Sequence, residues 1–351
     1  MVWYGFGYRG FGQLGEGEDP SVRLPEPVTI PGTRVESKDI TKAIPSWSYT
    51  AFLTGDDSLL LSGFIKALPG QYLHSRGLGC LDVLPSEKYL MVLFKDRVEC
   101  WGTNSLGPED ALPEALWKMD LPNGHKAAFP LVDNGYVLPQ PPFFRELPPK
   151  VQALKLSLGN EHAVLLTSDH AVLTWGAGRH GQLGHGDVED VLEPRIVEAV
   201  HGLLIREVAA GGWHTACIGD GGDIYCWGWN ESGQLGLPSK TLAQERGNVE
   251  EEVNEDEDAE AGQFITIQSF PALIDLPQEC EALKISCGSR HTASVTKSGE
   301  LYTWGWGRYG QLGHGDTNTL DQPKCVEFFS KKQLCAKDVT CKCWNTYVLC
   351  D

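Results

Sequence analysis

One unit of this sequence recurs along the chain, and a chain built of repeats must bury its apolar surface between copies. The clearest copy reads Trp175-Gly176-Ala177-Gly178-Arg179-His180-Gly181-Gln182-Leu183-Gly184-His185-Gly186. It returns as Trp227-Gly228-Trp229-Asn230-Glu231-Ser232-Gly233-Gln234-Leu235-Gly236. It returns again as Trp304-Gly305-Trp306-Gly307, followed by Gly310-Gln311-Leu312-Gly313. A version with two additional residues opens the chain, Gly5-Phe6-Gly7 and then Gly12-Gln13-Leu14-Gly15. Ahead of each internal Trp-Gly lies a second element: Glu161-His162-Ala163-Val164, Trp213-His214-Thr215-Ala216, and Arg290-His291-Thr292-Ala293. A Pro-led apolar step follows each Gly-rich loop, as in Pro194-Arg195-Ile196-Val197 and Pro271-Ala272-Leu273-Ile274. Each unit therefore supplies about four short strands between Gly and Pro turns. A lone four-stranded sheet cannot bury both faces, whereas sheets stacked radially can.

Weaker copies fill the gaps. Trp47-Ser48-Tyr49-Thr50-Ala51-Phe52-Leu53 leads to Ser62-Gly63, Tyr89-Leu90-Met91-Val92-Leu93-Phe94 leads to Cys100-Trp101-Gly102, and Ala127-Ala128-Phe129-Pro130-Leu131-Val132 leads through Gly135 to Tyr136-Val137-Leu138. The last copy, Trp344-Asn345-Thr346-Tyr347-Val348-Leu349, stops before its Trp-Gly half, and the N-terminus begins with that half. The expectation is a seven-bladed, all-β propeller spanning 1–351, with one blade shared between the chain ends. Closure of that kind removes free sheet edges. Gly176 and Gly228 are 52 residues apart, but Gly228 and Gly305 are 77 apart. The excess matches an acidic stretch, read as a disordered insertion over 243–264. Gly63 and Gly102 are only 39 apart, so the middle blades are expected to be trimmed, with an outer strand the one to be missing.

Composition narrows the function classes. The formal charge is −18, of which residues 245–260 contribute −8. An acidic chain without a basic tail is a poor direct grip for DNA phosphates. No run of 18 apolar residues reads as a membrane span, and Met1-Val2-Trp3-Tyr4-Gly5 does not read as a signal peptide. The 11 cysteines lie mostly in apolar runs, as expected of reduced thiols in a cytosolic or nuclear protein.

These motifs resemble the regulator of chromosome condensation repeat family of seven-bladed propellers. The resemblance covers nearly the whole chain and is weakest over 64–150. It is similar in particular to the branch whose members are a propeller and little else and which partner a JmjC-domain oxygenase. Ser46-Trp47-Ser48-Tyr49-Thr50-Ala51-Phe52, Phe270-Pro271-Ala272-Leu273 and Trp344-Asn345-Thr346-Tyr347-Val348 carry that likeness. The resemblance implies a non-catalytic, chromatin-linked adaptor. It would support demethylation of histone H3 lysine 36 by the partner, and chromosome segregation, in the nucleus with some cytosolic protein. Histones or nucleosomes would be reached through the partner. The alternative implied by the family is guanine-nucleotide exchange on a small nuclear GTPase.

Gly176-x-Gly178-x-x-Gly181 and Gly305-x-Gly307-x-x-Gly310 match a dinucleotide fingerprint, but the Gly-rich continuation is not a helix able to hold a pyrophosphate. His162, His214 and His291 hold one repeat position, read as a hydrogen bond to neighbouring backbone rather than acid–base chemistry. Cys341-x-Cys343 lacks a second well-spaced pair for zinc. No catalytic residue, metal or cofactor is expected. Gly5, Trp101, Gly102, Trp175, Gly176, Gly184, Trp227, Gly228, Gly236, Trp304, Gly305, Gly313 and Trp344 are read with the histidines as repeat-structural. The candidate partner-binding stretch is the Pro-rich 130–149, read as extended and poorly paired, with Tyr136, Pro139, Pro141, Pro142, Phe143, Phe144 and Arg145 as its contact residues. Arg145 is the one arginine in that stretch a modifying partner would find.

Overall fold

The structure, a computed structural model, describes residues 1–30, 35–66, 68–75, 78–106, 113–122, 128–245 and 264–351. In chain order, β1 (Val2–Tyr8) and β2 (Ser21–Pro27) open the chain. Blade 2 follows as β3 (Ile40–Pro45), β4 (Tyr49–Thr54), β5 (Leu59–Ile65) and β6 (Leu68–Ser75). Blade 3 is β7 (Asp82–Pro85), β8 (Tyr89–Leu93), β9 (Arg97–Gly102) and β10 (Trp117–Asp120). Blade 4 is β11 (Leu131–Val132), β12 (Gly135–Val137) and β13 (Phe144–Glu146). Blade 5 is β14 (Ala153–Leu158), β15 (His162–Thr167), β16 (Val172–Gly176) and β17 (Val191–Ile196). Blade 6 is β18 (Ile205–Ala210), β19 (His214–Gly219), β20 (Ile224–Trp229) and β21 (Ile267–Ile274). Blade 7 is β22 (Ala282–Cys287), β23 (His291–Thr296), β24 (Leu301–Gly305) and β25 (Leu320–Cys325). Finally β26 (Ala336–Lys342) and β27 (Asn345–Cys350) join β1 and β2 in the order β2-β1-β27-β26, which is blade 1 and closes the ring.

The first strands of successive blades touch one another, so they line the axis. The core lies between facing sheets: Val164, Leu166 and Val172 of blade 5 pack on Ile205, Val208, Cys217 and Trp227 of blade 6. Each Trp-Gly pair builds this contact. Trp101, Trp227 and Trp304 are fully buried, and Trp175 nearly so. Gly228 bulges the third strand at φ +108°, and a Cβ there would lie 2.6 Å from the Trp213 carbonyl oxygen, so glycine is required. Gly184 seats the next blade's tryptophan, with φ +80° and 2.7 Å from a would-be Cβ to Trp227 Nε1.

Several expectations are corrected here. In blade 1 the Trp-Gly equivalent is Phe6-Gly7, with Gly7 at φ +118°, and Gly5 instead packs under Leu14 and Tyr347. Gly102 keeps extended backbone, φ −73°, so blade 3 lacks the bulge. Among the described residues, fewer than four strands are found in blade 4 alone. Its β11 and β12 form a hairpin around the Asp133-Asn134 turn, as second and third strands do elsewhere, so the strand without a counterpart among the described residues is the inner one, not an outer one. The stretch 130–149 supplies all three described strands of this blade, and the irregular parts are its 138–143 connection and its ends at Pro130 and 147–149. Residues 246–263 of the acidic insertion lie outside the described residues. Its first three, Ala243, Gln244 and Glu245, end the short helix α1 (Lys240–Glu245).

Candidate partner-binding surfaces

The repeat histidines form a girdle that ties blade to blade. His162 Nε2 lies 2.9 Å from Thr215 Oγ1 of the next blade, His214 Nε2 2.9 Å from Thr292 Oγ1, and His291 Nε2 3.0 Å from Thr346 Oγ1. Each threonine hydroxyl donates onward to a backbone carbonyl, those of Gln182, Gln234 and Gln311. The hydroxyl proton is thereby spent, so each imidazole donates from Nε2. Burial holds all three histidines far below their ordinary pKa, at about 3. Their Nδ1 edges lie over Gly159, Gly211 and Gly288, where any Cβ would strike the ring. The sequence reading expected a backbone partner; the direct partner is a side chain of the next blade. Asn345 takes the equivalent place in blade 1, and there Tyr347 continues the girdle, bonding Thr50 Oγ1 and the Gln13 carbonyl, 2.8 Å each.

The Gly-rich loops are closed in the same economical way. Gln182 Oε1 accepts the His180 N–H, and the Gln182 carbonyl accepts Trp227 Nε1–H at 3.0 Å. Thr174 donates to the Leu183 carbonyl and bonds His185 Nε2. The dinucleotide-like pattern is thus fully engaged in holding loop to strand. The 11 cysteines are unpaired, and no three metal-ligating side chains converge among the described residues.

The axial channel carries a feature that sequence reasoning missed. Lys155, Glu207, Lys284, Asp338, Lys42 and Asp82 hold the same register position on the inner strands of blades 5, 6, 7, 1, 2 and 3, each opposite the residue at or next to the end of the second strand. Their signs alternate around the axis. Glu207 takes Lys155 on one side and Lys284 at 2.8 Å on the other, and Lys42 meets Asp82 at 2.8 Å. A bulge precedes five of these positions but not Asp82, and that hid the equivalence from residue spacing alone. Lys342 reaches across the channel mouth to the Leu158 carbonyl at 3.0 Å.

The seven residues proposed from the Pro-rich stretch part company. Tyr136 is buried, its hydroxyl accepting Trp175 Nε1–H at 3.1 Å. Phe143, at φ +67°, wedges against Tyr89 and Trp117, and Phe144 joins it in the contact between blades 3 and 4. The Pro139 carbonyl accepts the Ser86 hydroxyl. Pro141, Pro142 and Arg145 are exposed, with Arg145 on the outer strand opposite Tyr136.

A second surface emerges only in three dimensions. The residue after the bulge glycine is Tyr8, Phe64, Trp229 and Trp306 in blades 1, 2, 6 and 7, and the residue just before the second strand is Trp213, Arg290 and Trp344 in blades 6, 7 and 1. These two loop positions alternate along one propeller face. His180 stacks on Trp229 at 5.2 Å, Trp229 meets Trp213 edge-on, and Arg290 caps Trp229 at 4.4 Å. Trp306 contacts Trp344 at 4.7 Å and Tyr309 at 4.9 Å, Tyr309 meets Tyr8, and Trp344 meets Trp47. Phe11 links Tyr8 to Phe64. The result is an arc of half-exposed rings from blade 5 through blades 6, 7 and 1 to blade 2. Trp344, read as repeat-structural, belongs to this surface. The signal in the sequence was the second aromatic of each Trp-Gly-Trp, hidden by the more regular first.

Comparison with known proteins agrees with this geometry. The regulator of chromosome condensation (RCC1) repeat matches residues 169–218, 221–295 and 298–349. RCC1 domain-containing protein 1 of Homo sapiens is 47% identical over 99% of this chain and 96% of its own length, and its Mus musculus counterpart is 46% identical over the same shares. Among solved structures, Prp20p of Saccharomyces cerevisiae, described with its binding to Gsp1p and histones, superposes with TM-score 0.70 at 16% identity, covering 99% of this chain and 90% of that one. Repeats matched across the strong blades, and a relative similar along nearly the entire chain, place this protein in the regulator of chromosome condensation (RCC1) repeat family.

Proposed function

We propose that this propeller is a non-catalytic, chromatin-linked adaptor that binds a JmjC-domain oxygenase and supports that partner's demethylation of histone H3 lysine 36 and faithful chromosome segregation, in the nucleus. The observation that carries a protein-binding role is the aromatic arc. Trp, Tyr and Arg are the residue types that dominate binding energy in protein interfaces, because they bury large area at low entropic cost. Their rings here stand half-exposed on loops fixed by the girdle, not folded into the core. The Pro-rich connection of blade 4 takes the place of a Gly-rich loop, so it opens on the same face. It offers an exposed Pro141-Pro142 tip near an exposed Arg145. An oxygenase that accepts extended peptides has a suitable segment there, and histones come into reach through it.

The test is affinity capture from nuclear extract with mass spectrometry, using wild type, Trp229→Ala/Trp306→Ala and Arg145→Ala. Recovery of a JmjC oxygenase by wild type, reduced at least tenfold by one of the variants, supports the reading. Equal recovery by all three refutes these surfaces. Deleting 133–145 is not an informative variant, because it removes β12 and part of β13. The second reading, nucleotide exchange on a small nuclear GTPase, is favoured by the shared fold with Prp20p and its described binding to Gsp1p. Accelerated nucleotide release from such a GTPase on adding this protein would establish it.

A further inference from the structure

Among the described residues, blade 4 has no inner strand. Eleven residues (121–131) precede Val132, the last residue of β11, after β10 ends. The corresponding stretch in the other blades runs from 17 residues (76–92) to 26 (28–53). The shortest of these is six residues longer, the length of one inner strand such as β14. The alternating charges of the channel end at the same place, with Asp82 on one side of blade 4 and Lys155 on the other.

A repeated hydrogen bond is also missing there. In five blades the residue after the second strand donates its N–H to the carbonyl just ahead of the first strand. These bonds run from Gly55 to Asp39 (3.2 Å), Ser168 to Gln152 (2.9 Å), Asp220 to Leu204 (2.8 Å), Lys297 to Glu281 (2.9 Å) and Asp351 to Cys335 (3.0 Å). Asp133 holds that position in blade 4, and among the described residues it makes no such bond. In its place lies a groove of about 570 Å³, lined by Leu131, Val132, Asp133, Glu146, Val151 and Leu154 among others. It opens at the hairpin-turn end of the blade, on the face opposite the aromatic arc. Among the described residues, its lining contains two carboxylates and no basic side chain.

We propose that this groove takes an extended, basic peptide segment of a partner protein, which adds backbone pairing at Asp133, just past β11 and beyond the Ala128–Leu131 bridge that occupies that strand's edge. Strand addition supplies affinity through main-chain bonds and specificity through alternate side chains. Here the Asp133 N–H offers a donor in line with the bonds of the other blades. The apolar side chains of Leu131, Val151 and Leu154 accept one face of the incoming strand. Asp133 and Glu146 select lysine or arginine on the other, and the charge of the whole chain steers such a segment inward. The site is independent of the oxygenase reading and lies on the other face.

The test uses the full chain and a fluorescein-labelled peptide of alternating Val and Lys, six residues long, read by anisotropy. Comparison peptides replace Lys by Glu, or carry N-methyl groups at alternate residues to block strand pairing. The variants are Asp133→Asn/Glu146→Gln and Leu154→Trp, which fills the groove from an exposed position. Glu193→Gln/Glu198→Gln, exposed acids of blade 5, control for general charge attraction. Thermal melting confirms that each variant folds. Saturable binding of the Lys peptide, no binding of the Glu peptide and clear weakening by N-methylation are expected. Each neutralised carboxylate should weaken binding about threefold, so the Asp133/Glu146 pair should lose about tenfold, with Leu154→Trp losing at least as much. Absence of saturable binding overturns the proposal. So does weakening by the control pair equal to that by Asp133→Asn/Glu146→Gln, or unchanged binding by folded Leu154→Trp.

Discussion

Lowering the pH should unfasten the histidine girdle. His162, His214 and His291 are neutral in the folded chain, with pKa values held near 3 by burial. In the unfolded chain each returns to about 6.5. Below that value the unfolded state binds a proton that the folded state refuses. Stability is therefore full above pH 6.5 and falls as the pH drops toward 3. One proton per site gives a slope of about 1.4 kcal/mol per pH unit. At pH 5, about 1.5 units below the unfolded value, each histidine costs about 2 kcal/mol and the three together about 6. That is comparable with the whole stability of a typical domain, about 5–15 kcal/mol. Carboxylates held low, such as Glu207, act in the same direction at lower pH, so the diagnostic quantity is a difference between variants. Urea unfolding followed by the fluorescence of the 11 tryptophans, at pH 7, 6 and 5, measures it. His214→Gln should lose about 1 kcal/mol at pH 7 through the Thr292 bond, yet lose about 2 kcal/mol less than wild type between pH 7 and 5. Parallel pH profiles for the two proteins, or a wild type that gains stability on acidification, would refute the reasoning.

Three further outcomes follow from the same contacts. Gly184→Ala forces a Cβ into a left-handed position and against Trp227, and should cost about 2–5 kcal/mol in chemical unfolding. Gly202→Ala, at φ +90° with open space around it, should cost only the backbone share of about 1–2 kcal/mol. Glu207→Gln strands Lys155 and Lys284, both partly solvated, and should lower stability by about 2 kcal/mol, with a smaller loss in Lys284→Met. Trp229→Ala should leave the melting temperature within a few degrees of wild type, since the ring is half-exposed, while Trp227→Ala should cost at least about 3–5 kcal/mol.

Much of the fold was legible because the repeat residues do local work with a fixed spacing. Glycine at a bulge, glutamine closing a loop and tryptophan on the third strand each meet partners a set number of residues away or at the same place on the next copy. Blade 4 was misjudged because its sequence speaks through absence. Prolines at 139, 141, 142, 148 and 149 argued against pairing. Yet all five lie outside the β11 and β12 hairpin, and Pro130, just ahead of it, bonds through its carbonyl to the Val137 N–H. The candidate contact residues divide between core and surface for a related reason. Aromatic residues in a Pro-rich stretch read alike whether they turn inward, as Tyr136 and Phe143 do, or outward.

By itself the sequence determined a ring of repeated four-strand sheets, its seven-fold count, its closure between the chain ends and the structural duty of the Trp-Gly and Gly-Gln-Leu-Gly residues. Periodicity carries such information, since identical local contacts recur at regular intervals. Only the tertiary structure decided which residues of different blades share a surface. The aromatic arc, the alternating channel charges and the groove of blade 4 each gather single residues from separate strands or loops. Their neighbourhood is set by the curvature of the ring, and no spacing along the chain records it.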